Sequence, residues 1–195
     1  MTSTFTLLAD HLGFTGPKVM GHEYYVDAAV NCTSYRGDLT LTGTFVASDN
    51  TFTLTVADTA DFGRLAIGQE YAITNAVDSG NNATVTVDGL SGSGEIGSVI
   101  TFSAVSADET GDAITLTPSE EYLLASDFGL NNISAVFVTG HEDGTNRYTV
   151  KTSDAGAYAN SKFVELEIRV GSTGTELSAA ATNGDCVRLR VFGNL

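Results

Sequence analysis

The stretch Phe163-Val-Glu-Leu-Glu-Ile-Arg-Val170 decides the fold class of this 195-residue chain. Its even-numbered positions, 164 to 170, are all apolar, whereas Glu165, Glu167 and Arg169 occupy the odd positions between them. Successive side chains of a strand point to opposite faces, so this alternation predicts a strand with one buried face and one wet face.

The same period of two recurs on both sides of this stretch. It predicts strands at 23–31, 133–139, 147–152 and 186–192. Thr and Val dominate the periodic segments, and stretches of helical period rich in Ala, Leu, Glu and Lys are missing. Only 125–130 is expected to form a helical turn, with Ser126 or Asp127 as its cap and Gly129 as its stop. Residues 1–22 show no sustained period, which predicts an extended arm or loop.

A second group of short strands is predicted between residues 37 and 120. Six sets of apolar residues recur there at a period of two, mostly with Thr between them, and are separated by turns rich in Asp, Gly and Asn. The sets are Leu39, Leu41 and Phe45; Phe52, Leu54 and Val56; Tyr71 and Ile73; Val85 and Val87; Ile100 and Phe102; Ile114 and Leu116. Six such strands describe a small sandwich or barrel.

The outer pattern stops at Ser34-Tyr35-Arg36 and resumes at Glu121-Tyr122-Leu123. We therefore expect an all-β chain in which a small β-sandwich or barrel base domain, 1–36 and 121–195, carries a second β-sandwich-like domain, 37–120, inserted in one connection. The insert holds 12 of the 24 Asp and Glu residues but only one of the nine Lys and Arg residues, a formal charge of −11 against −4 for the flanks. The base domain thus keeps nearly all the cations and is the expected contact with an acidic partner.

The composition also excludes several classes of protein. A net charge of −15 argues against nonspecific binding to nucleic acid or to an anionic membrane, because both are polyanions. Asp10 interrupts the apolar N-terminal stretch, which therefore does not read as a signal peptide, and a cytoplasm is the expected place of synthesis. Cys32 and Cys186 are too few for a disulfide framework and are expected to be free thiols, although pairing stays open if their strands are neighbours.

Motifs that would indicate an enzyme are weak here. The segment 92–97 spells G-x-G-x-x-G, but a β-like segment follows it instead of a helix, so it is expected to form a Gly-rich hairpin loop. His11, His22 and His141 lack metal-ligand spacing, and the acidic turn 108–112 is expected to be solvated in preference to binding Ca²⁺. Asp58 and Asp61 are a candidate carboxylate pair for a hydrolase without surroundings that tune them. We expect no enzymatic activity, no metal and no cofactor.

One cationic grouping remains. Alternation places Arg188 and Arg190 on one face of the last strand, with Arg169 and Lys162 as further members. These side chains either line a solvent face paired with Glu165 and Glu167, or bind carboxylates of a partner surface through the Arg forks.

The base domain resembles small structural proteins of tailed bacteriophages that decorate or cement the capsid. The resemblance covers about 110 residues in two pieces. It lies in the opening Leu7-Leu-Ala-Asp-His-Leu-Gly-Phe-Thr-Gly-Pro-Lys18, in Thr33-Ser-Tyr35 resumed by Glu121-Tyr-Leu-Leu-Ala-Ser-Asp-Phe-Gly-Leu130, and in the terminal Val187-Arg-Leu-Arg-Val-Phe-Gly193. The insertion of 37–120 departs from the short pattern, and its role is not covered by the resemblance.

The resemblance implies a virion protein that binds the outer capsid surface and stabilises it by bridging neighbouring subunits of the major capsid protein. Such proteins form β-rich oligomers, often trimers, without catalysis. Capsid contact would then fall on the N-terminal arm with Lys18 and on the cations Lys162, Arg169, Arg188 and Arg190, while the insert projects outward. The alternative is an adhesive or glycan-binding module of a phage fibre or cell-surface appendage, for which Tyr71, Tyr148 and Tyr158 are the candidate groove aromatics.

Overall fold

The structure is a computed structural model that describes residues 4–10, 12–31, 37–119, 121–141, 146–152, 163–170, 173–174 and 186–195. The predicted all-β class is confirmed, since antiparallel strands make up most of it. The chain divides into two compact units, Met1–Gly37 with Glu120–Leu195, and Asp38–Ser119, which differ by one residue at each junction from the ranges drawn from the sequence.

The described residues form fourteen strands and one short α-helix. In chain order they are β1 Thr4–Leu7, β2 Lys18–Met20, β3 Glu23–Asn31, β4 Leu39–Val46, β5 Thr51–Leu54, α1 Thr59–Phe62, β6 Glu70–Thr74, β7 Thr84–Ser91, β8 Val99–Phe102, β9 Glu109–Pro118, β10 Glu121–Leu124, β11 Asn132–His141, β12 Asn146–Thr152, β13 Phe163–Val170 and β14 Cys186–Asn194. Two 3-10 turns, Ala47–Asp49 and Ala125–Phe128, complete the set.

The outer unit contains two antiparallel sheets. The five-stranded sheet has the order β1-β3-β14-β11, with β2 also paired to β3, and the three-stranded sheet has the order β10-β13-β12. One core cluster joins the two sheets, because it combines apolar residues of β3 and β14 with residues of β10, β13 and the Ala125–Phe128 turn. Its fully buried members include Val26, Leu189, Leu123, Leu166 and Phe128. Each sheet therefore has one buried face, as in a sandwich.

The N-terminal segment differs from the expected arm. Thr4–Leu7 and Lys18–Met20 are strands that pair with the two halves of β3 along one edge. A strand of three or four residues is too short to show a period, so pairing with a longer neighbour decides its conformation. Lys18 is thereby fixed beside Tyr25 in the register of the sheet.

The inserted unit is a closed six-stranded antiparallel barrel in the order β4-β5-β8-β7-β6-β9. The residues predicted to alternate inward are buried, and Phe45 packs with Phe52 and Phe102 at ring-centroid distances of 4.7 and 6.4 Å. Val56 is the exception. It lies beyond the end of β5 and is 54% exposed, because the chain leaves the sheet after Leu54 toward α1.

Helical structure is more frequent than the sequence indicated. The helix α1 and the 3-10 turn at 47–49 lie in the insert, where only strands were predicted. The expected turn at 125–130 is present, and Gly129 ends it with a φ of +69°. Its N-cap is Leu124, whose amide donates to Asp127 Oδ2 at 2.9 Å, so Asp127 closes the turn from within instead of preceding it. Cys32, the possible partner of Cys186, lies outside the described residues.

Candidate partner-binding face

The outer face of the five-stranded sheet carries the arginine and aromatic side chains of the candidate site. On β14, Val187, Leu189 and Val191 are buried, so Arg188, Arg190 and the ring of Phe192 lie on the opposite side. Arg188 is exposed and Arg190 is partly exposed. The neighbouring strands β3 and β11 add their own outward residues beside them.

Arg190 is held by the adjacent strand β3. It lies directly opposite Asp27, and its Nε and Nη2 donate to the two carboxylate oxygens of Asp27 at 2.7 and 3.0 Å. These hydrogen bonds raise the pKa of Arg190 above its ordinary value, so the guanidinium stays charged. Because both groups are partly exposed, the pair contributes only about 0.2–1 kcal/mol to stability. Its main effect is to fix the guanidinium plane.

Three aromatic rings extend the face on both sides of Arg190. Tyr25 and Phe192 have ring centroids 5.8 Å apart, and Phe192 meets Phe137 of β11 edge-on at the same distance. The Arg190 guanidinium lies 4.9 Å and the Lys18 Nζ 5.8 Å from the Tyr25 ring centroid, both within cation–π range. We call these five residues, Lys18, Tyr25, Phe137, Arg190 and Phe192, the cation–aromatic face.

Phe137 is the most open ring of the cation–aromatic face, with 56% of its surface exposed. A large apolar ring in water is unfavourable by roughly 25 cal/mol for each Å² that a partner could cover. Exposed rings next to Arg are typical of protein-binding surfaces, where Tyr, Phe and Arg are enriched. The face is therefore suited to a partner that offers apolar groups and carboxylates together.

The structure brings together only part of the predicted cationic grouping. Lys18, Arg188 and Arg190 belong to the five-stranded sheet, whereas Arg169 is on β13 of the other sheet and its side chain is not described. Lys162 lies outside the described residues.

The partner of Arg190 also differs from the expected one. Glu165 and Glu167 lie on β13, which is not a neighbour of β14, so Asp27 takes their place.

Sequence reasoning missed the three rings of the face. Tyr25 and Phe192 stand directly opposite each other in the register of β3 and β14. Phe192 follows Arg188 and Arg190 at the period of two, which was the available signal. Neither the partnership with β3 nor that with β11 could be inferred from the period alone.

The candidate carboxylate pair of the insert has a structural role. Asp58 is the N-cap of α1 and accepts from the amides of Ala60 and Asp61 at 3.1 and 2.9 Å. Asp61 accepts from the amide of Thr40 at 2.7 Å. Asp58 thus caps the first turn of α1, and Asp61 connects the helix to the backbone of β4.

The glycines of 92–97 lie in the loop of the β7–β8 hairpin, as predicted, with positive φ at Gly92, Gly94 and Gly97. In the described part of the chain, no three residues of the types His, Cys, Asp or Glu form a group that could hold a metal ion. Nor is any described helix long and apolar enough to cross a membrane.

No family model matches the chain, and searches of curated proteins and of solved structures found no significant similarity. The chemistry of the cation–aromatic face is therefore the basis for a functional assignment.

Proposed function

We propose that this chain is a structural virion protein without enzymatic activity that attaches to the outer surface of a phage capsid and bridges neighbouring subunits of the major capsid protein. The observation that carries the proposal is the cation–aromatic face, with Arg188 beside it. Attachment as a homo-oligomer, with a trimer favoured, would repeat this face around a symmetry axis.

The face has the composition that a protein partner requires. Its Arg190 guanidinium is already oriented by Asp27 and by the Tyr25 ring, so little conformational entropy is lost when a partner carboxylate approaches. Phe137 and Phe192 offer a packed apolar edge next to it. Central aromatic and Arg residues of this kind carry most of the binding energy in known interfaces.

Weak contacts are sufficient for such a role. Each copy on a capsid binds a lattice of identical subunits, so several modest contacts linked within one oligomer act at a high effective concentration. The charge of the insert is consistent with a surface that faces water, because a formal charge of −11 opposes particle aggregation. In this arrangement the barrel would project away from the capsid surface.

Cosedimentation with expanded empty capsids of the parent phage tests the proposal. We expect the full chain to bind, and we expect Phe137→Ser and Arg188→Glu each to reduce occupancy at least tenfold, about 1.4 kcal/mol or more, as removal of interface anchors does. Arg190→Glu is a poorer probe, because it would place a second carboxylate opposite Asp27 and weaken the sheet itself.

Val77→Ser is the matched control. Val77 belongs to the inserted unit and is 85% exposed, so Val77→Ser removes exposed apolar surface at a residue that is not part of the cation–aromatic face. Binding that is lost equally in Val77→Ser, or unchanged in both face variants, would contradict the assigned surface. Failure of the unmodified chain to bind capsids would contradict the decoration role.

The glycan-binding alternative loses one of its candidate aromatics. Tyr71 is fully buried in the barrel, Tyr148 has no described side chain and Tyr158 lies outside the described residues. Among the described residues, the exposed ring of Phe137 offers a surface on which a sugar could stack. Binding on a glycan array that disappears in Phe137→Ser would favour this alternative over capsid decoration.

A further inference from the structure

Residues 9–17 leave one edge of the five-stranded sheet and return to it almost at the same place. Before them, the amide of Leu8 donates to the Asp27 carbonyl of β3 at 2.8 Å, and after them Lys18 pairs with Tyr25 of the same strand. Both β1 and β2 are antiparallel to β3, so they are two parts of one edge strand that residues 9–17 interrupt. We call residues 9–17 the edge loop.

The interruption decides how this edge of the sheet can meet another molecule. An open edge strand offers unpaired backbone groups to a further strand. Here the two parts of the edge have only four and three residues, and the edge loop leaves the sheet between them. A long partner strand therefore cannot continue the sheet at this edge, and a contact is made by the side chains of the loop.

The edge loop has a fixed structure of its own. Asp10 Oδ1 accepts from the amides of Leu12 and Phe14 at 2.8 and 3.0 Å, and the Asp10 amide donates to the Phe14 carbonyl at 3.0 Å. Gly13 supplies the left-handed residue of this turn, with a φ of +85°. A Cβ at Gly16 would lie 2.8 Å from Phe14 Cζ, so the ring lies directly over Gly16.

This fixed turn presents apolar side chains to water without acidic neighbours. Leu12 is 80% and Phe14 is 53% exposed. Residues 11–22 include no Asp or Glu, and the carboxylate of Asp10 is turned onto the amides of the loop. The exposed aliphatic residues of the barrel, in contrast, lie within residues 37–120, which carry a formal charge of −11.

Charge therefore selects the partner of the edge loop. The whole chain has a net charge of −15, so two copies repel each other wherever carboxylates would meet. At the edge loop, two copies can approach with uncharged apolar groups on both sides. Because the turn is fixed before contact, little conformational entropy is lost when these groups are buried.

We propose that copies of this chain associate through the edge loop, with Leu12 and Phe14 of one copy packed against the same residues of another around a symmetry axis. The inference gives the homo-oligomer of the proposed function a defined contact and rests on that part of the proposal alone. Two side chains per copy cover far less than the roughly 800 Å² per partner of a standard interface, so the association is weak and reversible.

Sedimentation equilibrium of the full-length chain at increasing concentration tests the proposal. We expect the mean mass to rise above the 20.3 kDa of one copy, and Leu12→Ser and Phe14→Ser each to lower the association constant at least tenfold. Val77→Ser is the matched control and should associate like wild type, because Val77 is exposed in the barrel. A mean mass of one copy at every concentration, or unchanged association in both loop variants, would overturn the proposal.

Salt separates an apolar contact from an ionic one. Raising the ionic strength from about 0.01 M to about 0.15 M shortens the range of the repulsion between the acidic copies. Association through the edge loop should therefore become stronger. Weaker association at the higher ionic strength would indicate an ionic contact, such as the cation–aromatic face of one copy on the acidic barrel of another, and would also overturn the proposal.

Cosedimentation with empty capsids distinguishes this inference from the decoration role. Self-association that is lost in Leu12→Ser, in a chain that does not bind capsids, supports the edge-loop contact and contradicts decoration only. A chain that binds capsids as a monomer contradicts the edge-loop contact only. Unchanged self-association in Leu12→Ser together with reduced capsid occupancy would assign the edge loop to the capsid and overturn the inference.

Discussion

Replacement of Asn81 by Ala should destabilise the barrel more than any other change to its turns. Asn81 is 3% exposed and makes four hydrogen bonds. Its Oδ1 accepts from the amides of Ser106 and Ala107 at 2.9 and 3.1 Å, and its Nδ2 donates to the Ala107 carbonyl and to Glu109 at 3.0 and 2.9 Å. The Asn81 side chain thus connects the loop between β6 and β7 with the loop between β8 and β9.

The expected loss follows from these four bonds. Each contributes about 1 kcal/mol net, and the partners left behind are only partly accessible to water, so we expect a loss of about 2–4 kcal/mol in the free energy of unfolding. Asn82→Ala is the matched control, since Asn82 bonds only to the backbone of Ala76, at 2.9 Å in both directions. It should cost about half as much.

Hydrogen exchange with mass spectrometry is the appropriate assay, because it reports the barrel peptides separately from those of the outer unit. Protection of the segment 103–109 should fall in Asn81→Ala and persist in Asn82→Ala. A stability for Asn81→Ala within 0.5 kcal/mol of wild type, about the scatter of neutral surface changes, would refute the role given to this side chain.

Two further changes test the packing and capping of the barrel. In Gly43→Ala, the added Cβ would lie 2.4 Å from the Thr53 carbonyl oxygen, so we expect a loss of about 1–3 kcal/mol by urea denaturation. Gly89→Ala, whose Cβ would meet Thr101 atoms only at 3.5 Å or more, should stay near wild type, and equal effects of the two would contradict the close approach. Asp58→Ala should lower the free energy of unfolding by about 1 kcal/mol through loss of the α1 cap, whereas Asp58→Asn should retain most of the stability of wild type. A smaller loss in Asp58→Ala than in Asp58→Asn would contradict the capping role.

The barrel was predictable because its signal is local. Most inward residues, such as Leu41, alternate with Thr on a short strand, and burial follows directly from that period. The prediction was wrong for Val56, because its spacing from Leu54 continues the period after the strand has ended. Periodicity alone does not mark where hydrogen bonding to the neighbour stops.

The candidate face was only half predictable, since it depends on which strands become neighbours. Arg188 and Arg190 could be placed on one side of β14 from alternation, but Asp27 and Phe137 lie opposite Arg190 only through pairing across 163 and 53 positions of the chain. Such distant pairing leaves no trace in local composition. For the same reason, β1 and β2 were missed, because a longer strand imposes their conformation.

The first and last strands of the barrel, β4 and β9, are hydrogen-bonded neighbours, and Thr117 donates to the Asp38 carboxylate at 2.6 Å where the chain enters and leaves. A domain whose ends are adjacent needs only one short connection in the chain that carries it, and such domains are therefore readily inserted into loops. We therefore expect the outer unit to keep its fold when 38–119 is replaced by a short turn or by another domain with equally close termini.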